Sequence, residues 1–269
     1  MSSHRAPCPV CDRGPRDTAL SVTTDERGTV SHCHRCGYTC FEPPEHRPAA
    51  PVRPGAGGQR PPQSGPAERC RPQDWSLTAE RIWQSTLPLS GSLAAVYLEH
   101  RHCVLPPADA DVRFLPADAK YPPTMVARIT DARTAAPISL HFTTLAADGR
   151  SRGDRRLLAG HRKQHGVIRL WPDETVARGL AIAEGIESAL CAARLFRPMW
   201  ACVDAGNLEA FTVLAGIEAL TIFADHDDAG LGAARECARR WRAAGREVRI
   251  RTPRTAGHDA ADLARKVAA

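Results

Sequence analysis

Lysine is scarce in this chain. Lys120, Lys163 and Lys266 are the whole set, so nearly all of the positive charge is arginine. Aromatic residues make up 5%, and tyrosine occurs only at positions 38, 97 and 121. No stretch approaches the ~18 consecutive apolar residues of a membrane helix. The first residues, MSSHRAPCPVC, lack the apolar core of a secretory signal. These absences exclude a membrane span and point to a cytoplasmic protein without a membrane partner. In that compartment the ten cysteines are expected to be thiols or metal ligands rather than disulfides.

What is present is ordinary in bulk. Hydrophobic residues are 43% and charged residues 25% of 269, the composition of a globular protein with a sizeable core or two small domains. The net charge is +6. Guanidinium groups pair bidentately with phosphate oxygens, so the arginine bias hints at a polyanionic partner. A GC-rich genome gives the same bias.

Four segments differ in composition. Residues 1–42 hold half the cysteines in short spacings. Residues 43–73 are dense in Pro, Gly and Arg with almost no large apolar residue. Such a segment cannot offset its ordering entropy by burial and is expected to be a flexible linker. Residues 74–172 read as an antiparallel α+β unit. Helices are expected at TAERIWQSTLPL and LAAVYLEHRH, then strands at TMVARIT, ISLHFTTL and VIRLW. Residues 173–269 repeat a rhythm of short apolar strand and helix. The strands LAIAE, MWACVD, LTIFAD and VRIRTP precede the helical stretches GIESALCAARLF, NLEAFTVLAG, AGLGAARECARRWRAAG and DAADLARKVA. That alternation predicts parallel βαβ units, whose sites lie at the carboxyl ends of the strands.

Two constellations carry chemistry. Cys8 and Cys11, in CPVC, and Cys33 and Cys36, in CHRC, form paired Cys-x-x-Cys knuckles. They are spaced to hold one closed, structural Zn²⁺ in a small β ribbon. Cys40, His32 and His34 are substitute ligands, and a redox dithiol is the alternative. The second constellation is acidic. Asp225 and Asp227 flank one residue at the end of a strand and point to one side. Glu184 ends an earlier strand of the same rhythm. In a parallel sheet with these strands adjacent, the three converge as hard oxygen ligands suited to Mg²⁺ or Mn²⁺. Singly, each acid reads as a helix N-terminal charge, and for Asp228 that reading is kept.

AIAEGIESAL followed by TIFADHDDAGLGAA resembles the Toprim domain of primases, topoisomerases and some nucleases. With a cysteine ribbon ahead of it, the chain resembles DnaG-like DNA primases of phage and plasmid type. The resemblance extends to IWQSTLPLSGSLAAVYLEHRHCVLPP and RRLLAGHRKQHGVIRLW in the middle segment. It implies an α+β multidomain protein: zinc ribbon, flexible linker, primase core subdomain and a C-terminal α/β Toprim domain with a parallel sheet. It implies synthesis of RNA primers on single-stranded DNA from NTPs in a bacterial host cytoplasm. Glu184, Asp225 and Asp227 would then hold the catalytic metals, and Asp259 and Asp262 in GHDAADL are less typical further ligands. No G-x-x-x-x-G-K-[ST] occurs, so a replicative helicase would be a separate protein.

In that setting the basic run GRSRGDRRLLAGHRKQHG supplies nucleotide or template contacts, with Arg155, Arg156, Arg162 and Lys163 as the candidates. Without that setting it is a solvated face. Two rivals remain. A Toprim nuclease would use the same acids, whereas a topoisomerase would need a nucleophilic tyrosine that no position convincingly offers. A zinc-ribbon DNA-binding accessory factor would need no acids at all.

Overall fold

The computed structural model describes residues 2–9, 14–26, 28–33, 38–42 and 74–257. Cys11, Cys36, the 43–73 linker, the DAADLARKVA helix, Asp259 and Asp262 lie outside the described residues. Two compact units emerge. One comprises residues 1–73 with 159–162, and the other residues 74–158 with 163–269.

The first unit is a four-stranded antiparallel sheet in sequence order: β1 (Ser2–Ala6), β2 (Leu20–Asp25), β3 (Gly28–Cys33) and β4 (Thr39–Glu42). Its core is small, formed by Cys8, Leu20, Cys33, Tyr38 and Cys40. Cys40 is disulfide-bonded, contrary to the expectation of a thiol or substitute metal ligand, whereas Cys8 and Cys33 are not in disulfides. Cys8 follows β1 and Cys33 ends β3, opposite Leu20. One cysteine of each predicted knuckle is therefore buried in the same cluster.

The second unit is built on a nine-stranded sheet of order β13-β12-β10-β11-β9-β6-β7-β8, with β5 paired to β6. Its antiparallel half contains β5 (Val112–Leu115), β6 (Thr124–Asp131), β7 (Pro137–Leu145), β8 (Arg152–Leu157) and β9 (Gly166–Arg169). Its parallel half contains β10 (Gly179–Ala183), β11 (Met199–Ala201), β12 (Ala219–Phe223) and β13 (Glu247–Arg251). β9 joins the halves, pairing with β6 through Val167 and with β11 through Arg169. The sheet thus runs unbroken across residue 172, where composition alone suggests a change of segment. Arg169 secures this junction. It bonds Asp173 at 2.6 Å and Thr130 at 2.5 Å, and its guanidinium stacks 4.4 Å from the centre of the Trp200 ring.

Helices cover the sheet. α1 (Leu77–Gln84) and α2 (Leu93–His100) start at Ser76 and Ser92, whose hydroxyls accept from the backbone N–H three residues on. α1 is shorter than its apolar spacing predicts. Ser85 and Thr86 bond back to the carbonyls of Ile82 and Trp83 and end it. α3 (Ile186–Ala192), α4 (Ala205–Glu209) and α5 (Asp228–Ala243) follow the parallel strands. β10 is buried on both faces. Ala181 and Ala183 pack with α2 and α3, while Leu180 and Ile182 pack with α4 and α5. This two-sided burial is why the strand reads as an unbroken apolar run.

The helix expected over NLEAFTVLAG stops at Glu209. Phe211 leaves it to stack on Trp241, with ring centres 5.7 Å apart and planes 4° from parallel, and to meet Trp200 edge-on at 6.5 Å. Trp241 is fully buried on α5. Trp241→Ala should therefore cost about 3–5 kcal/mol. The measurement is urea unfolding followed by the fluorescence of the remaining tryptophans, all of which lie in this unit.

Candidate active site

Glu184, Asp204, Asp225 and Asp227 all leave the sheet at the carboxyl ends of β10, β11 and β12. The parallel registers pair Ala183 with Ala201 on one side and Phe223 on the other, which aligns the three exits. Glu184 follows β10 directly and is half-buried. After β11 the chain turns at Val203, whose φ of +73° is a strained value for a β-branched residue. Asp204 follows as the N-cap of α4, accepting from Asn207 N at 2.9 Å. Asp225 lies two residues beyond β12. Asp227 caps α5, accepting from Gly230 N at 2.7 Å.

Gly230 is needed in this turn. A Cβ there would stand 2.8 Å from the Asp225 carbonyl and 3.2 Å from Asp227 Oδ1. The turn is braced from behind. His226 Nδ1 bonds the Pro253 carbonyl at 2.7 Å, and Gly257 N donates to the His226 carbonyl.

The edge carries an excess of negative charge. Burial, and then the charges of Asp225, Asp204 and Asp227, push the Glu184 carboxyl up to about 7. Arg155 opposes them. Lys163, nearly buried, takes up part of the excess by pairing with Asp204 at 2.7 Å. Asn207 donates to the Lys163 and Gly166 carbonyls and fixes the loop that carries this lysine.

Among the described residues, no three His, Cys, Asp or Glu side chains are drawn together closely enough to hold a metal ion. Asp227 is turned to its cap and Asp204 to Lys163. The donor set is nevertheless of the kind a hard divalent cation takes: carboxylate oxygens at one edge, with more negative charge than the neighbouring bases cancel.

Behind the turn after β10 lies a second polar cluster. Glu187, in the first turn of α3, is buried and accepts from the Tyr97 hydroxyl at 3.0 Å. Burial and the neighbouring Glu187 carboxylate hold the Tyr97 phenol far above its ordinary value, so it stays a donor. Arg152 Nε and Arg155 Nη1, both from β8, stand 3.7 and 4.0 Å from the Glu187 carboxylate.

The predicted basic contacts fall in different places. Arg155 lies beside Gly185, within 3.9 Å of where a Cβ on that glycine would be. Arg156 turns to the opposite face of β8 and stacks 4.7 Å from the Phe142 ring centre, over the core beneath α1. Lys163 is engaged with Asp204. Arg162 belongs to the 159–162 stretch grouped with the first unit. Spacing does not single out Asp204, Arg152, Glu187 or Tyr97. Only Asp204 leaves a signal, as the acid that ends the apolar run MWACVD.

Residues 179–269 match the family model described as the Toprim domain. The C-terminal third of this chain is a Toprim domain. Residues 73–169 match a domain of unknown function, DUF7146. No curated protein matches the chain. Among solved structures, the primase fragment of the bacteriophage T7 primase-helicase protein is 15% identical. The match covers 98% of this chain and 95% of that one, with a TM-score of 0.44. The zinc-binding and RNA polymerase domains of the Aquifex aeolicus primase are 16% identical, over 98% and 76%, with a TM-score of 0.42. A DNA primase domain from Pseudomonas aeruginosa is 14% identical, over 73% and 60%, at 0.38. The Toprim match rests on sequence. Among the described residues, no helix is long and apolar enough to cross a membrane.

His141 on β7 sits under this cluster with an enclosed Nδ1. Burial pulls its pKa down to about 4, Arg155 and Arg152 push the same way, and Glu187 opposes them. The unfolded imidazole binds its proton below about 6.5. Stability from this group is therefore complete above that pH and is lost as pH falls from 6.5 toward 4. The loss is expected to be about 2 kcal/mol. Urea unfolding at pH 7.5, 5.5 and 4.5 should show the loss, and His141→Gln should flatten it.

Proposed function

We propose that this chain is a primase that synthesises short RNA primers on a single-stranded DNA template. What carries the reading is the exit of Glu184, Asp225 and Asp227 at one edge of the parallel strands of a Toprim domain, with arginines of β8 close by. Those three acids would hold Mg²⁺ or Mn²⁺, which when bound lowers the pKa of the attacking 3′-hydroxyl and offsets charge on the departing pyrophosphate. The protein's own part is positional. The β10 and β12 turns fix the carboxylates, and Gly230 lets α5 start against Asp225. Lys163 keeps Asp204 charge-balanced, and the arginines offset the repulsion between nucleotide phosphates and the acidic edge.

The N-terminal unit would be the template-sampling module, with Cys8, Cys11, Cys33 and Cys36 on one structural Zn²⁺ and the 43–73 segment as its tether. A tether holds such a module at high effective concentration near the core. The burial of Cys8 and Cys33 in one cluster supports this. Purified protein should contain about one zinc per chain by elemental analysis, and Cys33→Ser should release it.

The decisive experiment is incubation with single-stranded DNA, labelled NTPs and Mg²⁺ or Mn²⁺, resolved on a denaturing gel. Short labelled oligonucleotides are expected. Glu184→Gln should reduce them by about a hundredfold or more, while DNA affinity, read by fluorescence anisotropy, stays within about twofold. Metal-dependent shortening of the DNA in place of synthesis would mean a Toprim nuclease. DNA binding with neither activity would mean an accessory factor.

A further inference from the structure

We propose that Glu187, supported by Tyr97, is a positioning residue that holds Arg152 and Arg155 toward the acidic edge, so that these two arginines receive the phosphates of the incoming nucleotide. The inference rests on the primase reading and goes beyond it by dividing the labour within the basic strand.

β8 is an edge strand carrying Arg152, Arg155 and Arg156. A regular strand would send 152 and 156 to one face and 155 to the other. The register of β7 against β8 shifts between Thr143 and Leu145, and this irregularity brings Arg152 and Arg155 to the same carboxylate. Arg156 is left on the far face over Phe142.

Glu187 is fitted to this task by its surroundings. Its backbone is the first turn of α3, three residues after Glu184, so whatever it holds is held beside the Glu184 turn. Gly185 lies next to the Arg155 guanidinium and the Glu187 carboxylate, at a distance where a side chain would make ordinary contact. A Cβ there would touch both Arg155 Nη1, at 3.9 Å, and Glu187 Oε2, at 4.0 Å. Tyr97 anchors the carboxylate from α2. The ion pairs to Arg152 and Arg155 are long, and both side chains are about two-fifths exposed. Neither guanidinium is saturated by Glu187, although Arg152 Nη1 also donates to the Gly153 carbonyl at 3.3 Å. Long side chains lose much rotamer freedom when a ligand fixes them, and a buried carboxylate behind them meets part of that cost in advance. Arg155 thus stands beside the turn that carries Glu184. A phosphate between the two would join the basic pair to the acidic edge.

The test titrates ATP in primer synthesis on single-stranded DNA with Mg²⁺, alongside equilibrium binding of radiolabelled ATP without DNA. Glu187→Gln and Arg152→Ala should each raise the KM for ATP about tenfold with kcat changed less than about threefold. ATP binding should weaken in parallel. Glu187→Asp should restore part of the affinity. Tyr97→Phe, which removes one hydroxyl and keeps the test open if Glu187→Gln unfolds, should give a smaller rise in KM. Arg239→Ala, an equal charge loss on the exposed side of α5, should leave both constants unchanged. A fall in kcat at constant KM would overturn the proposal, because Glu187 would then act on the reacting atoms. A change confined to the DNA concentration dependence would also overturn it, assigning the arginines to the template. If the wild type makes no primers yet its ATP binding still depends on Glu187, the primase reading fails and the phosphate site stands.

Discussion

β10 is hydrogen-bonded on both sides by parallel neighbours. Because of this, three turns leave the sheet at one level, each able to deliver an acid to the same edge. A strand so placed is buried on both faces and must be apolar along its length, so charge can appear only where it ends. Gly179–Ala183 has no polar side chain, and Glu184 is the first residue past it. The excess negative charge at this edge is therefore a consequence of topology, as are the devices that manage it: the Asp227 cap, the Lys163–Asp204 pair and the arginines of β8.

Two glutamates three residues apart illustrate how environment divides roles. Glu184 has acidic neighbours and one opposing arginine, and its carboxyl rises toward neutrality. Glu187 has a phenol donor and two guanidinium groups. One stands among like charges that push its carboxyl up. The other is already satisfied and acts on its partners. The strained turn at Val203 belongs to the same arrangement, since it brings Asp204 back toward Lys163 instead of letting β11 run on.

The elements that sequence made legible were those set by local rules. β10 and β12 are short apolar runs, β13 alternates apolar Val248 and Ile250 with charged residues, and α5 shows its buried stripe of Ala234, Cys237, Ala238 and Trp241 at helical spacing. β8 was illegible as a strand. Arg-Gly-Asp-Arg-Arg has no apolar alternation, and an exposed edge strand needs none because its pairing comes from β7 alone. The early end of α4 was hidden for the opposite reason. Phe211 looks like one more helical apolar residue until Trp200 and Trp241, from two other elements, claim it. The acids at 184, 225 and 227 could be read from strand-end position. The partnership of Glu187 with Tyr97 could not, since 90 residues separate them and only the packing of α2 on α3 brings them together.

The continuity of the sheet gives this site its physical unity. Had the antiparallel and parallel halves been separate domains, the distance between the β8 arginines and the β10 acids would vary with every hinge motion. Positive charge would then reach the edge only part of the time. β9 removes that freedom by pairing with both halves, and Arg169 ties the join through Thr130, Asp173 and Trp200. Basic and acidic residues from different segments are thereby held on one rigid backbone, the condition for an electrostatic site to need little reorganisation when ligand arrives. A Toprim parallel sheet supplies the acids by its strand order. The antiparallel extension supplies the arginines, and the seam at β9 lets the two sets act at a fixed distance.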